Sequence, residues 1–96
     1  MIKYAYKKDA LEVSGHALYA KHGEDIVCAS VSTAIILSSN LITRFKLDDH
    51  IEVVIKEGYF KLKIIKPSQT VIHIVDNLVW TLDELLEQYP KHIKKE

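Results

Sequence analysis

Cys28 carries the only thiol in this 96-residue chain, and it sits in "SGHALYAKHGEDIVCASVS", residues 14–32. Two histidines, His16 and His22, precede it in the same stretch. A cysteine attacks as the thiolate. Imidazole can hold that thiolate as an ion pair and later protonate a leaving amine, both near neutral pH. The residue types therefore suit thiol-dependent cleavage of an acyl bond. His16 follows Gly15 at the end of an alternating segment, so a rigid element would aim it. His22 falls in the intervening polar stretch and reads as a solvated loop residue. One cysteine with scattered histidines lacks the paired spacings of zinc sites, so neither a metal nor another cofactor is expected.

The elements that must position these groups follow from periodicity. Ile2, Tyr4 and Tyr6 alternate with Lys3, Ala5 and Lys7, and Leu11 and Val13 resume the alternation after a turn. That is a β-hairpin whose second strand ends near Gly15 and His16. Residues 18–24 read as loop, with Gly23 supporting it. From Asp25, a natural N-cap, "DIVCASVSTAIILSSNLITRF" predicts a mostly buried helix of about twenty residues without Gly or Pro. "HIEVVIKEGYFKLKIIK" is a second hairpin turning at Glu57-Gly58. Ser68 caps a second helix, whose apolar residues run from Val71 to Tyr89 before Pro90. "KHIKKE" is a candidate for a short edge strand. The expected fold class is α+β: one domain over 1–96, in the order ββαββα. Its two hairpins form a mixed or antiparallel sheet with both helices on one face.

On this reading Cys28 lies in the first turn of the first helix. Unpaired amides and the helix dipole there stabilise an anion. A thiol pKa of about 8.5 falls to roughly 3.5–7.5 at such a site, and the same amides, that of Cys28 included, would hold an oxyanion. Free cysteine is also a common core residue, and "IVCASV" is where one would be buried. Position alone favours the core; the nearby histidine favours the nucleophile. Asp25 either caps the helix or also orients the imidazole. Ser32, one turn after Cys28, either hydrogen-bonds within the site or only to the Cys28 carbonyl.

Acidic and basic residues balance at 13 each, so the net charge does not point to nucleic acid. Lys61, Lys63, Lys66, Lys91, Lys94 and Lys95 read as solvated lysines on an outer face and a frayed end. A lone cysteine forms no internal disulfide, the opening residues lack a signal-peptide core, and no segment reads as a membrane span. The expectation is a cytoplasmic protein with no direct nucleic-acid or membrane contact.

Gly15, His16 and Ala17, then Gly23, Asp25, Ile26, Val27, Cys28, Ala29 and Ser32, together resemble the signature of the bacterial ribosomal-processing cysteine protease (Prp) family. The likeness extends along the chain to "LDELLEQYPKHI". Ser30 stands where a smaller residue is common, and Trp80 and Thr81 where the family often has glycine. The resemblance implies a cysteine endopeptidase that removes a short N-terminal extension from a large-subunit ribosomal protein, the twenty-seventh. It implies Cys28 as nucleophile, His16 as base, a homodimer, and a loop, here 18–24, that orders around substrate. Val79 and Trp80 are candidate dimer contacts or part of a broad core stripe. The rivals are a non-catalytic ribosome-associated module with a buried cysteine, and a thiol acyltransferase.

Overall fold

Alternation in the first fifteen residues becomes a two-stranded ladder in the computed structural model, which describes residues 1–15 and 22–96, residues 22–25 by their backbone alone. Strands β1 (Ile2–Lys7) and β2 (Ala10–Ser14) pair antiparallel through a two-residue turn. Lys8 and Asp9 both have positive φ, 53° and 62°, the turn conformation that matches strand twist. Strands β3 (Ile51–Lys56) and β4 (Tyr59–Ile64) form the second hairpin, turning through Gly58 at φ 71°. β2 joins the hairpins by pairing antiparallel with β4. A short β5 (Ile93–Lys95) adds parallel to β1, giving the mixed sheet order β3-β4-β2-β1-β5.

The register decides which side chains meet. Tyr4, Val13, Phe60 and Ile55 form one cross-strand row, and Tyr6, Leu11, Leu62 and Val53 the next. These rows face the helices. α2 (Gln69–Gln88) starts at Ser68, whose hydroxyl accepts the Val71 N–H at 3.2 Å. It buries Val71, Ile74, Val75, Leu78, Val79 and Leu82 against Tyr4, Leu11, Leu62 and Ile93. Val79 thus belongs to the core stripe, while Trp80 is exposed.

α1 differs from expectation in two ways. It spans His22–Arg44, so it begins three residues before Asp25. Asp25 lies in the first turn and does not cap the helix, and His22 and Gly23 are helical instead of loop. Aspartate suits a first turn as well as a cap, so residue type does not separate the two placements. Residues 18–21 of the expected loop lie outside the described residues. The second difference is burial. Only a narrow stripe, Val27, Val31, Ser38 and Ile42, is buried, while Ile26, Ile36, Leu37, Leu41 and Phe45 are exposed. Ile26–Arg44 is also long and apolar enough, at mean hydropathy 1.8, to pass for a membrane span. Its core stripe instead makes it a packed helix of this fold. α1 ends with Lys46 in the left-handed region, φ 59°. Lys46 N–H donates to the Thr43 carbonyl and Leu47 N–H to that of Ile42, the paired bonds of a helix C-terminal reversal.

Asp83 of α2 ties the chain ends together. It accepts from the buried Tyr4 hydroxyl on β1 and from Lys95 Nζ, at the end of β5, at 3.0 Å. Burial pushes its carboxyl pKa up, but these bonds and the Lys95 charge outweigh that and hold it below the ordinary value. Burial, then the bond to Asp83, pushes the Tyr4 phenol well above its usual pKa. The Asp83 contribution is therefore present above the unfolded carboxylate pKa of about 3.9 and lost as pH falls through the folded value. Asp83→Ala should lower the melting temperature by roughly 4–8 °C at neutral pH, about 1 kcal/mol for a domain this size. Adding Tyr4→Phe should recover part of the loss, since no buried hydroxyl is then left unpaired. Calorimetry at neutral and acid pH checks both, and the Asp83→Ala deficit should shrink in acid.

Candidate active site

Cys28 is the seventh residue of α1, two turns in. By helix geometry its amide belongs to the hydrogen-bonded ladder and not to the unpaired first four. The expected stabilisation of a thiolate or oxyanion by the Cys28 amide is therefore corrected: dipole and free amides act one turn earlier. What positions the thiol is packing. Val27 is fully buried and Val31 is 4% exposed, and these flanking residues pin the helix to the core. Cys28, half-buried beside them, packs against the core on one side.

On its other side Cys28 opens into a cleft of about 280 Å³. Ile2, Val13 and Phe60 form its floor from the sheet; Val31, Ile35 and Ile36 wall it from α1. Ser32 and Gly15 also line it, and Ile55 and Lys56 come from the end of β3. The thiol is thus neither sealed among aliphatic groups nor on open surface. It combines the core contact and the accessibility that the sequence left as alternatives.

Gly15 closes the sheet end of the cleft. Its N–H donates to the Gly58 carbonyl at 2.9 Å, extending the β2–β4 ladder by one step. Its φ of +88° is left-handed, and a Cβ there would fall 2.1 Å from the Met1 carbonyl oxygen. Only glycine lets the chain turn at this point, immediately before His16. His16 itself lies outside the described residues. The chain reaches it from a residue that shares the cleft with Cys28.

Ser32 is exposed, one turn beyond Cys28 on the cleft wall. Among the described residues the back-bonding serine here is Ser30, whose hydroxyl donates to the Ile26 carbonyl at 2.8 Å, and no such bond joins Ser32 to Cys28. The Ser32 hydroxyl remains available to a molecule in the cleft. The sequence pattern did not single out Ile55, Lys56 or Tyr59 as lining residues, because only the β2–β4 pairing brings that hairpin tip to Gly15. No cluster of potential metal ligands occurs among the described residues.

The model of the family described as "Cysteine protease Prp" matches residues 1–94. The chain belongs to the Prp family of cysteine proteases. A Prp protein of Mycoplasma pneumoniae, named a ribosomal processing cysteine protease, is 31% identical, covering 100% of this chain and 94% of its own. The structure of a Prp from S. aureus in complex with a substrate peptide superposes with a TM-score of 0.85 at 19% identity, over 99% of this chain and 95% of that one. A second S. aureus Prp structure, with a covalently linked product peptide, gives a TM-score of 0.79 at 20% identity over the same shares. The five-stranded mixed sheet with two helices is therefore the Prp fold.

Gly15→Ala should impair both fold and site. The left-handed φ alone costs about 1–2 kcal/mol for a residue with a Cβ, and the backbone clash adds to it. A lowered melting temperature together with lost peptidase activity is the expected outcome. Cys28 of the folded protein should be alkylated by iodoacetamide without denaturant. Ile35→Trp, which fills the cleft, should slow that reaction severalfold, read by mass spectrometry of intact protein.

Proposed function

We propose that this Prp-family protease removes the N-terminal extension of a bacterial ribosomal protein, the twenty-seventh of the large subunit. Cys28 is the nucleophile and His16 the base. The observation that carries this reading is Cys28 half-exposed in an apolar cleft that also holds Gly15, the residue before His16. The S. aureus relatives with substrate and covalently linked product peptides support it.

The chemistry follows from the two groups. The thiolate of Cys28 attacks the scissile carbonyl, forming a C–S bond and placing negative charge on the carbonyl oxygen. Imidazolium of His16 gives its proton to the leaving amine as the C–N bond breaks. Water then attacks the thioester, His16 takes its proton, and the thiolate leaves. Ser32, with no protein acceptor among the described residues, donates a hydrogen bond to the substrate. The apolar walls, Val31, Ile35 and Phe60 among them, accept an apolar side chain next to the cleaved bond. β3 is an edge strand whose Ile55 and Lys56 line the cleft, so the peptide lies along it in extended form. A cytoplasmic location accompanies a ribosomal substrate and a reduced thiol.

The active species in this reading is a homodimer. Leu37, Leu41 and Phe45 recur every four residues on α1 and are 68%, 42% and 56% exposed. Such a row on one helical face is more apolar surface than a monomer ordinarily leaves open. It is a better dimer contact than Trp80 alone.

Incubation with the extended ribosomal protein should yield the shortened product by mass spectrometry. Cys28→Ala should slow this by about three orders of magnitude or more, and undiminished cleavage would overturn the proposal. Ser32→Ala should lower kcat/KM by roughly 3–10-fold, one neutral hydrogen bond. Leu37→Asp with Leu41→Asp should convert a dimer to a monomer in light scattering; a wild-type monomer would remove the dimer from the reading.

A further inference from the structure

The sheet has a second face, turned away from both helices, which meets the cleft only at Lys56 and Tyr59. Its composition follows from the register. Residues alternate along each strand, so the neighbours of the buried Tyr4, Phe60, Leu62 and Ile93 point outward. They are Lys3 and Lys7 on β1, Lys61 and Lys63 on β4, and Lys94 on β5, with Lys56 ending β3. The acidic residues among them are Glu12 on β2 and Glu52 on β3. Six lysines against two glutamates leave four surplus positive charges on this face, although the whole chain is neutral. The compensating charge lies on the other side: α2 has no Lys or Arg, and exposes Asp76, Glu84 and Glu87. Glu12 is 3.7 Å from Lys61, whereas Lys3, Lys7, Lys63 and Lys94 have no ion-pair partner among the described residues.

We propose that this outer sheet face binds the phosphate backbone of single-stranded RNA. Strands about 4.8 Å apart and outward residues about 6.8 Å apart along each strand hold the ammonium groups in a shallow grid. A flexible polyanion can follow such a grid, releasing counterions as it does so. Tyr59 stands in the row Lys56, Tyr59, Ser14, Lys3, Lys94 and offers one ring on which a base can stack. RNA fits this face better than an anionic bilayer does. Val54 is the only large aliphatic residue among the outward strand positions described, too little to insert into lipid, and the exposed apolar row of α1 lies on the helix side. The cleft opens on the helix side and shares only Lys56 and Tyr59 with this face, so Lys3, Lys7, Lys61, Lys63 and Lys94 can hold RNA while a peptide is bound.

The test is fluorescence anisotropy with a labelled single-stranded RNA of about 20 nucleotides, titrated at several salt concentrations between about 50 and 200 mM. Binding should weaken steeply with salt, each neutralised phosphate adding about 0.7 to the slope of log K against log salt. Lys3→Glu, Lys63→Glu and Lys94→Glu combined should weaken binding at least tenfold at low salt and leave peptide cleavage unchanged. Lys46→Glu, on an exposed lysine beyond α1, should bind like the wild type. If the triple variant loses peptide cleavage through misfolding, Lys3→Gln and Lys63→Gln singly should each reduce the salt slope by about 0.7. Absence of salt-dependent binding, equal loss with Lys46→Glu, or tighter binding to phosphatidylglycerol vesicles than to RNA would each overturn the proposal.

Discussion

Val27 and Val31, locked into the core on either side of Cys28, are the contact on which the site depends. α1 touches the rest of the molecule through a narrow stripe, and that stripe fixes the rotation of the helix about its own axis. Turned by one residue, the helix would carry Cys28 either into the core or out to solvent. As it stands, the thiol is held at the boundary, where it packs on one side and faces the cleft on the other. A nucleophile needs both conditions: a fixed direction and room for a carbonyl to approach. The rigidity comes from β-branched side chains with few rotamers, not from hydrogen bonds.

The opposite wall is held by backbone. The Gly15–Gly58 hydrogen bond continues the β2–β4 ladder to the tip of the second hairpin, and both residues are glycines with positive φ. This brings Ile55, Lys56 and Tyr59, distant in sequence, to the cleft. Asp83 works at the β1–β5 edge of the sheet, where it couples β1, α2 and the C-terminal strand. The cleft begins beside Tyr4 in the same cross-strand row, with Val13, Phe60 and Ile55, and is closed by the turns at Gly15 and Gly58.

The sheet separates two kinds of surface. Its inner face and the helices carry the apolar groups, including the row on α1. Its outer face concentrates lysine that the neutral overall composition conceals. Net charge is a sum over the whole surface, whereas recognition depends on charge within a Debye length, about 8–10 Å at ordinary salt. An acidic α2 and a basic sheet cancel in the sum and remain distinct in space.

Local chemistry determined much of this protein. Two hairpins, two helices, the capping Ser68 and the stop at Pro90 are period, turn and cap signals, and each depends on neighbours a few residues apart. Residue types and spacing pointed to His16 with Cys28; His16 lies outside the described residues, and the residue before it, Gly15, lines the cleft with Cys28. The true start of α1 was not, because Asp25 suits a first turn as well as a cap, and only the backbone path distinguishes them. Nor was the exposure of Leu37, Leu41 and Phe45: an apolar residue shows the same pattern whether or not a partner element covers it. The hairpin tip in the cleft, the Asp83 link and the gathering of lysines on one face all required strand order and register. These arise from pairing between segments tens of residues apart, and no local preference encodes them.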